Sequence, residues 1–182
     1  SIIPETATLQ MYVRSLYTET LMDLSQRVED ILKGAALMTG TTVDAQWDEH
    51  PMSLPVRNNA TLARRWGATQ ASRGRDVLPA GTLPDSQAAS TDFGNVSHLV
   101  PGIHPLVKIA PEGTALHTTD FAAAAISDQA FEGAFDAAVG LAQTIADILN
   151  DPQLLADAQE EFRNAGGAIS VEKLLAGAAE QP

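Results

Sequence analysis

The chain has no cysteine. That excludes disulfides, thiol nucleophiles and thiolate metal sites, so any zinc must be held by His, Asp or Glu. The same absence fits a cytoplasmic protein. Basic residues are scarce: 11 Lys and Arg stand against 23 Asp and Glu, a formal charge of −12 over 182 residues. Nucleic-acid binding needs clustered cations to displace counterions, so no nucleic-acid partner is expected. No run reaches the roughly 18 apolar residues of a membrane-spanning helix. The opening "SIIPETATLQMYVRS" lacks the basic stretch and apolar core of a signal peptide and reads as the middle of a folded domain. Phosphate-binding glycine loops are absent too. What remains is ordinary globular composition, 45% hydrophobic with mean hydropathy −0.04, enough for one good core or two small ones.

Periodicity divides the chain. Residues 7–13, "ATLQMYV", alternate, with Ala7, Leu9, Met11 and Val13 on one face, the pattern of a half-buried strand. From Thr18 or Glu19 the step changes to three and four through Leu21, Leu24, Val28, Ile31, Ala35 and Met38, which predicts a helix ending at Gly40. "TTVDAQW" then alternates again through Val43, Ala45 and Trp47. Strand, helix, strand reads as a βαβ unit. Alone it leaves two strands with open edges, so an upstream segment or another chain is expected to complete the sheet.

"DEHPMSLPVRNN" is a crossing segment and the expected domain boundary, with Asn58 or Asn59 capping a helix through Leu62 and Trp66. Residues 71–89 read as an exposed loop, and "HPLVKIA" as a strand buried on both faces. The clearest helix starts at Ser127 and carries Phe131, Phe135, Ala138, Ala142, Ile145 and Leu149 at helical spacing. Its alanine-rich opposite faces suit close packing on a sheet or another helix. Asp151 and Pro152 open a further helix through Leu155, Ala158 and Phe162, stopped by Gly166 and Gly167.

The chemistry available is limited. His50, His98, His104 and His117 are the only histidines, and none pairs at His-x-x-x-His spacing. His117, in "ALHTTDF" where a loop enters a helical segment, is a candidate metal ligand by position, but a lone histidine in such a place is more often a capping or packing residue. A serine-hydrolase reading would combine Ser90 or Ser97 with His117 and Asp92, but no Gly-x-Ser-x-Gly elbow is present. Glu160 and Glu161 are consecutive on a helix, so they point apart and read as solvated. Arg14, on the polar side of a strand, could clamp a carboxylate or simply face water.

Together these segments resemble the M20 zinc metallopeptidases and amidohydrolases, in their dipeptidase and aminoacylase-like branch. "SIIPETATLQMYVRS" and "ILKGAALMTGTTVD" are similar to parts of that family's lid domain. "ASTDFGNVSHLVPGIHPLVKIAPEGTALHTTDFAAAA" is similar to its return into the catalytic domain. The resemblance implies an α/β protein in two pieces. Residues 1–50 would be half of an α+β, ferredoxin-like lid used for homodimerisation, and 51–182 the C-terminal part of an α/β catalytic domain.

It further implies zinc-dependent hydrolysis of an amide bond in a small N-acyl amino acid or dipeptide. His117 would be a zinc ligand, Arg14 would contact the substrate carboxylate, and Ser90, Thr91, Asp92 and Asn95 would line the pocket. Ser1 stands where the family usually has a substrate-facing Asn. The family's other ligands to its two zinc ions, and its glutamate general base, belong to segments not found in these residues. No catalytic residue is therefore expected here, and the chain alone is expected to be inactive. The competing expectation is a truncated, non-catalytic dimerisation or binding module of the same fold.

Overall fold

A computed structural model describes residues 2–47, 52–79, 81–82, 91–170 and 172–173. Helices follow in the order α1 (Thr18–Thr39), α2 (Ala60–Ser72), α3 (Phe93–Ser97), α4 (Thr119–Ala124), α5 (Asp128–Asn150) and α6 (Pro152–Asn164). No strand occurs among the described residues. The α/β architecture expected from the sequence is therefore not formed within them. Residues 7–13, 41–47 and 104–110 have strand-like composition but no ladder hydrogen bonds. The physical reason is partnership: a strand exists only beside another, and one βαβ unit cannot cover its own edges. Leu9 is accordingly 72% exposed, and Leu106 is exposed as well.

The helices begin and end where local chemistry directs. Gly40 takes φ 67° and closes α1, with the Thr41 amide donating to Ala36 O at 3.0 Å. Asn59 caps α2 by accepting from the Leu62 amide at 3.0 Å, and Ser127 caps α5 by accepting from Ala130 at 3.2 Å. Asp151 accepts from Gln153 and Leu154 ahead of Pro152, satisfying amides that the first turn leaves free.

Helix packing is concentrated on α2, α5 and α6. Leu62, Trp66, Ala130 and Ala158 are buried there. The buried residues of α5 are small, Ala130, Gly133, Gly140 and Thr144, with Gly140 against α2 and Gly133 against Lys108 and Ile109. A Cβ at position 140 would overlap Trp66 and Gln70, so the backbones approach as closely as they do only because glycine stands there. Large apolar residues of α5 point the other way, and Phe131 and Leu149 are 74% and 79% exposed.

Polar clamps join the same three helices. Asn59 Nδ2 donates to Ala158 O at 2.9 Å, Gln70 Nε2 donates to Asp136 O at 2.8 Å, and Arg65 pairs with Asp147. Glu161, expected to be solvated, instead accepts from the Thr61 amide at 2.9 Å and its hydroxyl at 2.7 Å, and from the Ala60 amide. An acid at a helix N-terminus meets both free N–H groups and the positive end of the dipole.

Candidate functional site

The polar stretch 91–98 folds into the short turn α3, and most of its polar atoms grip one strap of backbone, residues 52–57. Asn95 Oδ1 accepts from the Leu54 amide at 2.8 Å while its Nδ2 donates to Met52 O at 2.9 Å. Ser97 Oγ accepts from the Arg57 amide at 2.9 Å and donates to Gly94 O at 2.6 Å. His98 Nε2 lies 3.0 Å from Pro55 O. Since a carbonyl only accepts, Nε2 carries the hydrogen. Gly94 lets the strap close, because a Cβ there would run into the Leu54 carbonyl.

Nearby groups extend the clasp. Arg57 donates to Ala165 O at 2.7 Å and Gly167 O at 2.5 Å, with its guanidinium 4.5 Å from the Phe162 ring centroid. Burial lowers its pKa from the ordinary value. The Ile169 amide donates to His98 O at 2.8 Å. His104 stacks on Phe93, centroids 5.3 Å apart, and its amide donates to Asn58 Oδ1 at 2.7 Å.

The expected site residues fall into distinct settings. Asn95 has both ends of its amide committed to the strap. Thr91 Oγ1 accepts from the Phe93 amide at 3.3 Å and sits 3.2 Å from Asp92 Oδ1; Asp92 is exposed. Ser90 lies outside the described residues. Arg14 is exposed, its guanidinium 5.0 Å from the Tyr12 ring centroid. No hydrogen bond or ion pair joins Arg14 to residues 91–98 or to His117 among the described residues. Ser97 is fully buried with its hydroxyl used twice, which leaves nothing for a nucleophile's role.

His117 is exposed and is the one non-glycine residue of positive φ, 60°, among those described. Thr118 pins the turn around it: its Oγ1 donates to Ala115 O at 2.7 Å and accepts from the Phe121 amide at 3.2 Å, capping α4. A left-handed backbone costs a residue with a Cβ about 1–2 kcal/mol, and such strain gathers at working positions. No group of three or more His, Asp or Glu side chains among the described residues is placed to hold a metal ion. A zinc site needs at least three protein ligands, so these residues do not make one by themselves.

Sequence reasoning missed the clasp built by Gly94, Ser97 and His98 and the anchoring roles of Arg57 and Glu161. The signal for the clasp was present only as polar density beside a proline-containing segment.

The chain is 34% identical over 163 residues to the Xaa-Arg dipeptidase of Mus musculus, matching 90% of this chain and 37% of that protein. The human Xaa-Arg dipeptidase is 32% identical over the same length. An N-acetyldiaminopimelate deacetylase of Streptococcus thermophilus is 34% identical over 105 residues, 57% of this chain and 26% of the deacetylase. No protein-family profile matches, and no solved structure matches. This chain thus spans a little over a third of the length of the dipeptidases it matches. Taken with the ordered resemblance from the lid-like opening to "ALHTTDF", these relatives show that the chain belongs to the M20 family of peptidases and amidohydrolases.

Proposed function

We propose that this chain is the C-terminal part of a zinc-dependent amidohydrolase or dipeptidase acting on a small N-acyl amino acid or dipeptide. The observation that carries the reading is the similarity over 90% of the chain to proteins described as dipeptidases. The deacetylase relative supports it, because a dipeptide bond and an N-acetyl group are both amides. In the proposal His117 contributes one metal ligand, and the strained, exposed backbone at that position supports the assignment. The remaining ligands and the general base would come from outside this chain, and zinc would supply Lewis-acid activation of the amide.

Arg14, Ser90, Thr91 and Asp92 are proposed to face substrate, Arg14 by charge-assisted hydrogen bonds to a carboxylate. Asn95 is proposed to serve the pocket by fixing the loop, since its amide already holds the strap. Residues 1–50 are proposed as part of a lid that forms a homodimer, 51–182 as part of the catalytic domain, and the cytoplasm as the compartment. No helix among the described residues is long and apolar enough to cross a membrane.

The test is His117→Ala in a protein of the relatives' length that carries this chain. Zinc per protomer and hydrolysis of a panel of N-acyl amino acids and dipeptides are both expected to fall. Unchanged zinc content and turnover would refute the assignment. Dimerisation with no hydrolysis of any amide in the panel would favour the non-catalytic module.

A further inference from the structure

We propose that His98 is an acid-sensitive catch on the loop 91–97: a proton added to its buried ring frees the 52–57 strap from α3. The geometry allows the ring one comfortable state. His98 is 5% exposed, with Nε2–H bonded to Pro55 O, while Nδ1 is buried without a partner among the described residues. A second N–H, created at Nδ1, finds no acceptor in that packing. The charged groups around the ring make matters worse. Arg57, from the strap, is the cation acting on it, and Ala165–Ser170, on the other side, has no titratable side chain. Glu161 on α6 is already committed to the amides of Ala60 and Thr61.

A buried N–H without an acceptor carries a desolvation penalty that nothing in the packing offsets, so the protonated ring turns towards water. That movement breaks the bond to Pro55 O. Asn95 and Ser97 hold the strap on either side of that carbonyl, so the strap loses the central bond of the clasp. Burial holds the ring's pKa below its ordinary 6.5; the Pro55 bond opposes this and Arg57 adds to it. A depressed histidine binds its proton more readily in the open form than in the closed one. The clasp is therefore at full strength above pH 6.5 and weakens as pH falls from there through the ring's lowered pKa. The catch does not depend on the hydrolytic reading. If the loop faces substrate as proposed, acid would also loosen that wall of the pocket.

The experiment is residue-resolved amide exchange on the 182-residue chain from pH 8 to pH 5, expressed as protection factors so that the intrinsic pH dependence cancels. Leu54 and Arg57 amides are expected to lose protection below about pH 6.5, approaching tenfold per pH unit for one proton. The Leu62 amide, bonded to Asn59 on α2, should keep its protection. His98→Gln retains an N–H for Pro55 O and gains no proton in this range, so its profile should be flat. An equal fall in His98→Gln, or no fall in the unsubstituted chain, overturns the proposal. If His98→Gln does not fold, ring-nitrogen spectroscopy of the unsubstituted chain decides. The ring should stay neutral until the two amides open; titration near 6.5 with both amides still protected overturns the catch.

Discussion

Asn95 separates a residue that seats a loop from one that touches substrate. Asn95→Ala deletes two hydrogen bonds, one from the Leu54 amide and one to Met52 O. Each is worth about 1 kcal/mol net, and an unpaired buried N–H costs about 1–3 kcal/mol. Leu54 is 1% exposed, so its amide has little prospect of finding water while the strap stays in place. The expected loss is about 2–4 kcal/mol, partly relieved if the strap lifts. For a chain of this size each kcal/mol moves the midpoint by about 2–4 °C, so a fall on the order of 10 °C is expected. Thermal and urea unfolding of the 182-residue chain measure it directly. A midpoint unchanged within a degree, with weaker substrate binding in the relative-length protein, would refute the reasoning and assign the Asn95 amide to substrate.

Gly140→Ala forces a methyl against Trp66 and Gln70; overpacking of this kind costs about 1–3 kcal/mol, read as a lower urea midpoint. Phe131→Ser on the outward face of α5 should change the stability of this chain by less than about 0.5 kcal/mol, and a loss several times larger would mean that the face is covered. Acid should destabilise the fold in a second stage below that of His98. Arg75 and then Arg73 hold the Asp136 carboxylate below its ordinary range. For Glu161, desolvation pushes upward but the Thr61 hydroxyl and the amides of Ala60 and Thr61 prevail, so it too is lowered. A depressed carboxylate stabilises above its unfolded pKa, 3.8 for Asp136 and 4.5 for Glu161, and the benefit disappears as pH falls through the folded value. Asp136→Asn and Glu161→Gln should each flatten the urea-midpoint profile below about pH 4.5, and parallel profiles would count against these contacts.

The helices were legible because their signals are local. Ser127, Asp151 with Pro152, and Asn59 cap through atoms two or three residues away, and Gly40 ends α1 by its own backbone freedom. The family was legible from the order of short segments. His117 could be singled out by its place before a helix, although its left-handed backbone could not be foreseen. The strands were the misjudged elements. Alternation at 7–13 and 41–47 describes a surface fit for a sheet, but ladder bonds depend on a neighbour that these residues do not supply. On α5 the sequence marked two faces without deciding which one turns inward.

By itself, then, the sequence determined the four longer helices and most of their ends, the acidic charge, the lack of thiol chemistry and the family, all of which depend on composition, neighbouring residues or order along the chain. The short α3 reads in sequence only as a polar loop. Only the tertiary structure decided that the glycine face of α5 meets Trp66, that Glu161 caps a helix about a hundred residues away, and that Asn95, Ser97 and His98 grip the backbone of 52–57. Those contacts join residues some 40 to 100 positions apart. Their geometry depends on where the packed helices place them, which no local pattern encodes.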